Sequence, residues 1–143
     1  MRLPPYGACI IQVEFLRFTG ALMLDHIGLE VRSYAVSKAF YSQTLVVLGY
    51  VVVEETHGWC GFGSPGKPQF FIHEGQSPTA PVHVGFSAGD RSRVDHFHAA
   101  ALAAGGRDNG PPGIRAIYHP NYYGAFVLDP DGNNIEAVCH DAE

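Results

Sequence analysis

Apolar and polar positions alternate over Met23–Val31 (MLDHIGLEV), the period of a half-buried strand. Ser33 then offers an N-cap for a helix over Tyr34–Leu48, with Val36, Ala39, Phe40 and Val47 on one face and Gly49 placed to stop it. Three short strands follow at Tyr50–Glu55, Gly58–Gly63 and Gln69–His73, with Ser64–Pro68 turning the chain before the third. The order then recurs. Val82–Ser87 reads as a strand, and Asp90 caps an alanine-rich helix over Arg91–Ala104, which Gly105 and Gly106 end. Strands are expected at Ile114–Tyr118, Tyr122–Leu128 and Asn133–Val138, the last two joined by the turn Asp129–Gly132.

A fixed offset of 57 residues makes the recurrence explicit. It aligns His26 with His83, Gly28 with Gly85, Phe40 with Phe97, Leu45 with Leu102 and Gly49 with Gly106. The fold class expected is α+β: two tandem βαβββ modules, about 23–75 and 81–140, forming a curved mixed sheet around a metal-binding cleft. Residues 1–22 differ in character and read as an extension, although IIQVEFLRF alternates enough for an added strand. Their apolar stretch is broken by Gln12, Glu14 and Arg17, which argues against a secretory signal.

Strand alternation gives the histidines a meaning. In HIGLEV the larger side chains Ile27, Leu29 and Val31 face the core, so His26, Gly28 and Glu30 face the other way. His83, Gly85 and Ser87 repeat that arrangement. In NNIEAVCH, Glu136 stands in mid-strand between Ile135 and Ala137, where a carboxylate is disfavoured unless something compensates its charge. Coordination of one divalent ion by His26, His83 and Glu136 does so. Two imidazoles and one carboxylate with open positions suit Zn, Ni, Co, Mn or Fe. A solvated histidine or an edge-strand glutamate is the blander use of each residue taken singly.

Other side chains extend the candidate site. The loop from His119 to Gly124 offers His119 and Tyr123 as proton donors, with Tyr122 beside them as a substrate contact. Trp59 and Phe71 lie on middle strands and would wall a substrate, unless they simply pack the core. Arg32 and Arg115, near strand ends, are candidates to meet an anionic substrate. His96 and His98 are two apart on a helix and point about 200° apart, so they do not share an ion.

Composition narrows the classes. Nine Lys and Arg against fourteen Asp and Glu give a formal net charge of −5, which repels nucleic-acid backbones and anionic lipid. Cys9, Cys60 and Cys139 are scattered and form no CxxC pair, which fits a reducing, cytoplasmic setting rather than a disulfide scaffold.

With these residues in view, LDHIGLEV, HVGFS and GAFVLDPDGNNIEAV resemble the first, fifth and eighth strands of the vicinal oxygen chelate superfamily, the glyoxalase/bleomycin resistance/extradiol dioxygenase group. The resemblance runs from about Met23 to His140. It implies metal ligands at His26, His83 and Glu136, with Glu136 also a base, and chemistry on a small substrate with two adjacent oxygens. Lactoylglutathione-lyase-like isomerisation is the nearest activity it implies; drug binding without catalysis and Fe(II) extradiol oxygenation are the alternatives. It also implies a homodimer. Glyoxalase-type members carry a fourth ligand, a glutamate, on the last strand of the first module. Here Phe70 or Phe71 stands there, with Gln69 and His73 nearby. Extradiol enzymes carry a tyrosine shortly before the DP turn, where this chain has Phe126 or Val127.

Overall fold

The computed structural model describes residues 24–75 and 80–142, so the expectations for residues 1–22 lie outside the described residues. Each module supplies one helix and four strands. The first contains β1 (Ile27–Val31), α1 (Tyr34–Leu45), β2 (Val51–Thr56), β3 (Trp59–Ser64) and β4 (Lys67–Glu74). The second contains β5 (His83–Ser87), α2 (Arg91–Ala103), β6 (Arg107–Ile114), β7 (Tyr123–Leu128) and β8 (Asn134–Cys139). Hydrogen bonding keeps them as two four-stranded mixed sheets of identical topology, β1-β4-β3-β2 and β5-β8-β7-β6, with no closed barrel among the described residues. β1 runs parallel to β4 and β5 parallel to β8, while the remaining neighbours in each sheet are antiparallel.

Both expected caps form. The Ser33 hydroxyl accepts from the Val36 amide (3.4 Å), and Asp90 accepts from Arg93 (2.8 Å). A single turn of 3-10 helix, Val46–Leu48, tightens the end of α1 before Gly49 at φ 91°. In the second module that conformation falls on Gly105 (φ 93°), one residue ahead of the aligned Gly106, because α2 has no such extra turn.

The core lies between the helices and one face of each sheet. Leu29, Val31, Cys60, Phe62, Phe70 and Ile72 are buried from the first sheet, and Val84, Ala125, Val127, Ile135 and Ala137 from the second. The aligned Phe40 and Phe97 are both wholly buried. Two expectations about the helices fail. Val36 and Ala39 are exposed, and α1 buries Ser37, Phe40, Tyr41, Thr44 and Leu45 instead. Leu102 is 39% exposed where its match Leu45 is buried, since α2 meets the core through Val94, Phe97 and Ala101.

One strand differs more sharply. The chain over 115–118 is a turn, not the strand expected at Ile114–Tyr118; β6 runs earlier, over Arg107–Ile114. It contains Pro111 and Pro112 and tolerates them because it is an edge strand whose register shifts twice against β7.

The two modules are joined through the turn before β8. Asp129, 2% exposed, accepts from the Tyr41 hydroxyl (2.5 Å), the Asn133 amide (2.8 Å) and the Asn133 side chain (2.9 Å). Asp131 accepts from the Ser37 hydroxyl (3.3 Å) and the Arg32 amide (3.3 Å). The motif that turns β7 into β8 therefore also anchors the second module on α1. Phe70 and Phe86 add an edge-to-face contact across the seam, with ring centroids 5.2 Å apart.

Candidate functional site

Register fixes what each outward face displays. In the second sheet, Gly85 pairs with Glu136 and Glu136 with Phe126, so these side chains share the face away from the helices. His83 lies one step along, opposite Asn134. Gly85 leaves space for the carboxylate: a Cβ there would stand 3.5 Å from Glu136 Oε2. His83 Nε2 donates to that same oxygen at 2.9 Å.

Glu136 is only 3% exposed. Its other oxygen, Oε1, accepts from the Tyr122 hydroxyl. Burial and this bond to an anion push the Tyr122 phenol well above its ordinary pKa, so the tyrosine stays a donor. No Lys or Arg among the described residues pairs with Glu136. The carboxylate has left water with two side-chain donors and, among the described residues, no Lys or Arg at ion-pair distance.

The first sheet repeats the geometry with different chemistry. Gly28 pairs with Phe71 and Phe71 with Gly61. Phe71 thus holds in the first module the place of Glu136 in the second, which decides between Phe70 and Phe71. Its ring lies over Gly61, where a Cβ would come within 2.6 Å of it. His26 and Trp59 flank that ring, with centroids 5.6 and 5.7 Å away. With Gly28 and His73 they line a shallow pocket of about 400 Å³. His26 Nδ1 donates to Asp25 Oδ2 (2.8 Å), leaving Nε2 as the ring's acceptor. That bond from His26 holds the Asp25 carboxyl below its usual pKa.

Sequence-based candidates therefore divide. His83, Glu136 and Tyr122 come together on the second sheet, while His26, Trp59 and Phe71 come together on the first. Among the described residues no three metal-ligating side chains gather within one chain. Tyr123 points to the helix side, where its hydroxyl donates to Asp95 Oδ1 (2.7 Å) and Arg91 stacks on its ring. His119 accepts from the Asn121 amide at Nδ1 (3.1 Å), so its Nε2 donates to His140 Nδ1 (2.7 Å), and its ring rests against Tyr122. Arg115 stacks over Phe126 with Cζ 5.6 Å from the ring centroid. Arg32 instead faces Asp131.

The hydroxyl contact of Tyr122 is the feature that residue-by-residue reading passes over, yet strand parity contains it. Ala125 and Val127 are core residues, so Phe126, Gly124 and Tyr122 must face Glu136 while Tyr123 faces the helix. A more enclosed cavity of about 290 Å³ lies at the seam between the modules, with Ile27, Phe62, Phe70 and Phe86 among its lining residues. It borders His83 but does not include Glu136.

Comparison with known proteins bears on the family and the fold. A family model described as the glyoxalase/bleomycin resistance protein/dioxygenase superfamily matches residues 23–137. A glyoxalase/bleomycin resistance protein from Albidiferax ferrireducens T118 is similar in structure, with TM-score 0.71 and 32% identity over 82% of this chain and 98% of that one. A glyoxalase/bleomycin resistance protein/dioxygenase family enzyme from Burkholderia phytofirmans PsJN aligns with TM-score 0.65 and 22% identity, covering 82% and 98% of the two chains. A putative glyoxalase from Bacillus halodurans gives 0.63 and 24%, covering 81% and 94%. These last two show likeness of fold alone. No curated protein matches the sequence.

Proposed function

The chain belongs to the glyoxalase/bleomycin resistance protein/dioxygenase superfamily, and from that premise we propose that it is a metal-dependent enzyme of the vicinal oxygen chelate type, acting as a homodimer. His83 and Glu136 supply one half of each site, and His26 of a second copy supplies the other half. The observation that carries this reading is the buried carboxylate of Glu136, which has an imidazole at 2.9 Å and, among the described residues, no Lys or Arg at ion-pair distance.

These residues fit a divalent ion. Two donors bound at roughly 2.1 Å and at right angles lie about 3 Å apart, close to the spacing of His83 Nε2 and Glu136 Oε2. Neutral imidazole and carboxylate suit Zn, Ni, Co, Mn or Fe alike. His26 is prepared in the same way, since Asp25 fixes the ring through Nδ1 and leaves Nε2 outward. A bound ion would supply Lewis acidity toward two adjacent oxygens of a small substrate.

The chain's own groups then divide the remaining work. Glu136 is the base for a proton next to a carbonyl, which is glyoxalase-like isomerase or lyase chemistry. Tyr122 holds Oε1 and keeps the carboxylate turned toward His83. Phe71 and Trp59 present an apolar wall that excludes water from the substrate's far side. The alternative is ligand binding without catalysis, favoured by one observation: Phe71 occupies the place of a carboxylate and, with Trp59 and His26, makes an aromatic pocket.

Elemental analysis of chelator-free protein separates the two. One metal per chain, lost in His83→Ala and Glu136→Ala, supports the enzyme; no metal before or after titration supports the binder.

A further inference from the structure

The face that carries His83 and Glu136 also carries a guanidinium that forms no ion pair among the described residues. We propose that Arg115 selects an oxyanion-bearing substrate there, an inference that rests on the reading of this face as the substrate site.

Register places the residue. Ile114 pairs with Tyr123, and the Arg115 amide donates to the Tyr122 carbonyl (2.7 Å), so Arg115 lies beside Tyr122 and on the same face. The row between them and Glu136 contains Gly113 and Gly124, which pair with each other. Without side chains in that row, Arg115 and Tyr122 lie down along the sheet. A Cβ on Gly124 would stand 3.1 Å from both the Tyr122 ring and Glu136 Oε1, and one on Gly113 would stand 3.1 Å from Arg115 Nη1. Gly110, at φ 148°, extends the bed, with its Cβ position 3.5 Å from Nη2.

The guanidinium ends over Phe126, the direct partner of Glu136 and a neighbour of His83, whose ring centroid is 6.1 Å away. One nitrogen, Nη2, donates to the Pro111 carbonyl (2.5 Å) and fixes the plane. Among the described residues Arg115 forms no ion pair, in a protein with an acidic excess of five charges, whereas Arg32, Lys38 and Arg93 each have a carboxylate. A half-buried, stacked guanidinium with donors to spare is a fork for a carboxylate or phosphate-type group. Because Phe126 is the common neighbour of Arg115 and His83, the ligand is small: an oxyanion separated from its metal-facing oxygens by little more than one ring's width.

The test uses the full chain loaded with Co(II), titrated calorimetrically at low salt with pyruvate, its neutral analogue pyruvamide, and inorganic phosphate. The wild type should bind pyruvate or phosphate at least tenfold more tightly than pyruvamide, and the better anion identifies the class. Arg115→Gln should lose that preference while still binding cobalt, and Arg115→Lys should recover part of it. An equal preference in Arg115→Gln, or none in the wild type, overturns the proposal. Failure of cobalt to bind the wild type would instead bring down the metal-site reading, and the role of Arg115 with it.

Discussion

Phe71 and Glu136 occupy the same place in two sheets of identical topology, each the parallel-strand partner of a glycine, Gly28 for one and Gly85 for the other. The exchange of carboxylate for aromatic ring makes the two halves chemically unequal. One half presents a buried anion; the other presents an aromatic surface.

That asymmetry can be reversed. Phe71→Glu would add a second carboxylate beside His26, giving the proposed site a fourth donor. Metal affinity should rise by about tenfold or more, equivalent to about 1.4 kcal/mol, in a competition titration against a chromophoric chelator. Unchanged affinity would mean that the first sheet does not contribute to the ion's shell.

Tyr122 and Gly124 together set the Glu136 carboxylate. Tyr122→Phe removes a hydroxyl from a buried oxygen and should destabilise the fold by about 1–3 kcal/mol in urea melts of the metal-free protein. Gly124→Ala places a methyl 3.1 Å from both groups, so one of them must give way. It should weaken the proposed metal retention several-fold without changing the oligomeric state, as measured by metal content after dialysis. Full retention would show that the position of the carboxylate does not depend on Tyr122.

Alkaline pH should loosen the protein through its tyrosines. Burial, then the charge of Asp129, pushes the Tyr41 phenol far above its ordinary value; burial, then Glu136, does the same to Tyr122. The unfolded chain releases these protons near pH 10, while the folded chain keeps them. Stability is therefore fully present below pH 10 and falls as pH rises beyond it. The urea midpoint should stay level from pH 8 to 9.5 and drop above 10, and Tyr41→Phe should reduce the drop. A midpoint that is flat to pH 11 would contradict the buried Tyr41–Asp129 contact.

Much of this was legible in the sequence because it is local and periodic. HIGLEV and HVGFS announce their faces by alternation, and Glu136 betrays itself as a carboxylate among core residues. β6 was hidden because Pro111 and Pro112 obscure strand character that an edge position tolerates. Without β6 in place, the row joining Arg115 to Tyr122 has no register, so the sequence offered Arg115 as a candidate for an anionic substrate on the same footing as Arg32, with nothing to place it beside Tyr122. The attachment of Asp129 to Tyr41 spans 88 residues and follows from module packing, which no local pattern encodes. The choice of Tyr122 over Tyr123 was available in principle: the parity of Ala125 and Val127 determines it.

The central claim is that each metal site takes His26 from one chain and His83 with Glu136 from another. Subunit complementation tests it directly. His26→Ala and Glu136→Ala chains carrying different tags would be co-expressed, and the mixed dimer purified through both tags. Each parent homodimer should hold almost no metal, while the mixed dimer, with one site whole and one doubly broken, should hold one metal per dimer. A mixed dimer as empty as its parents, beside a wild type holding one metal per chain, would contradict the shared site.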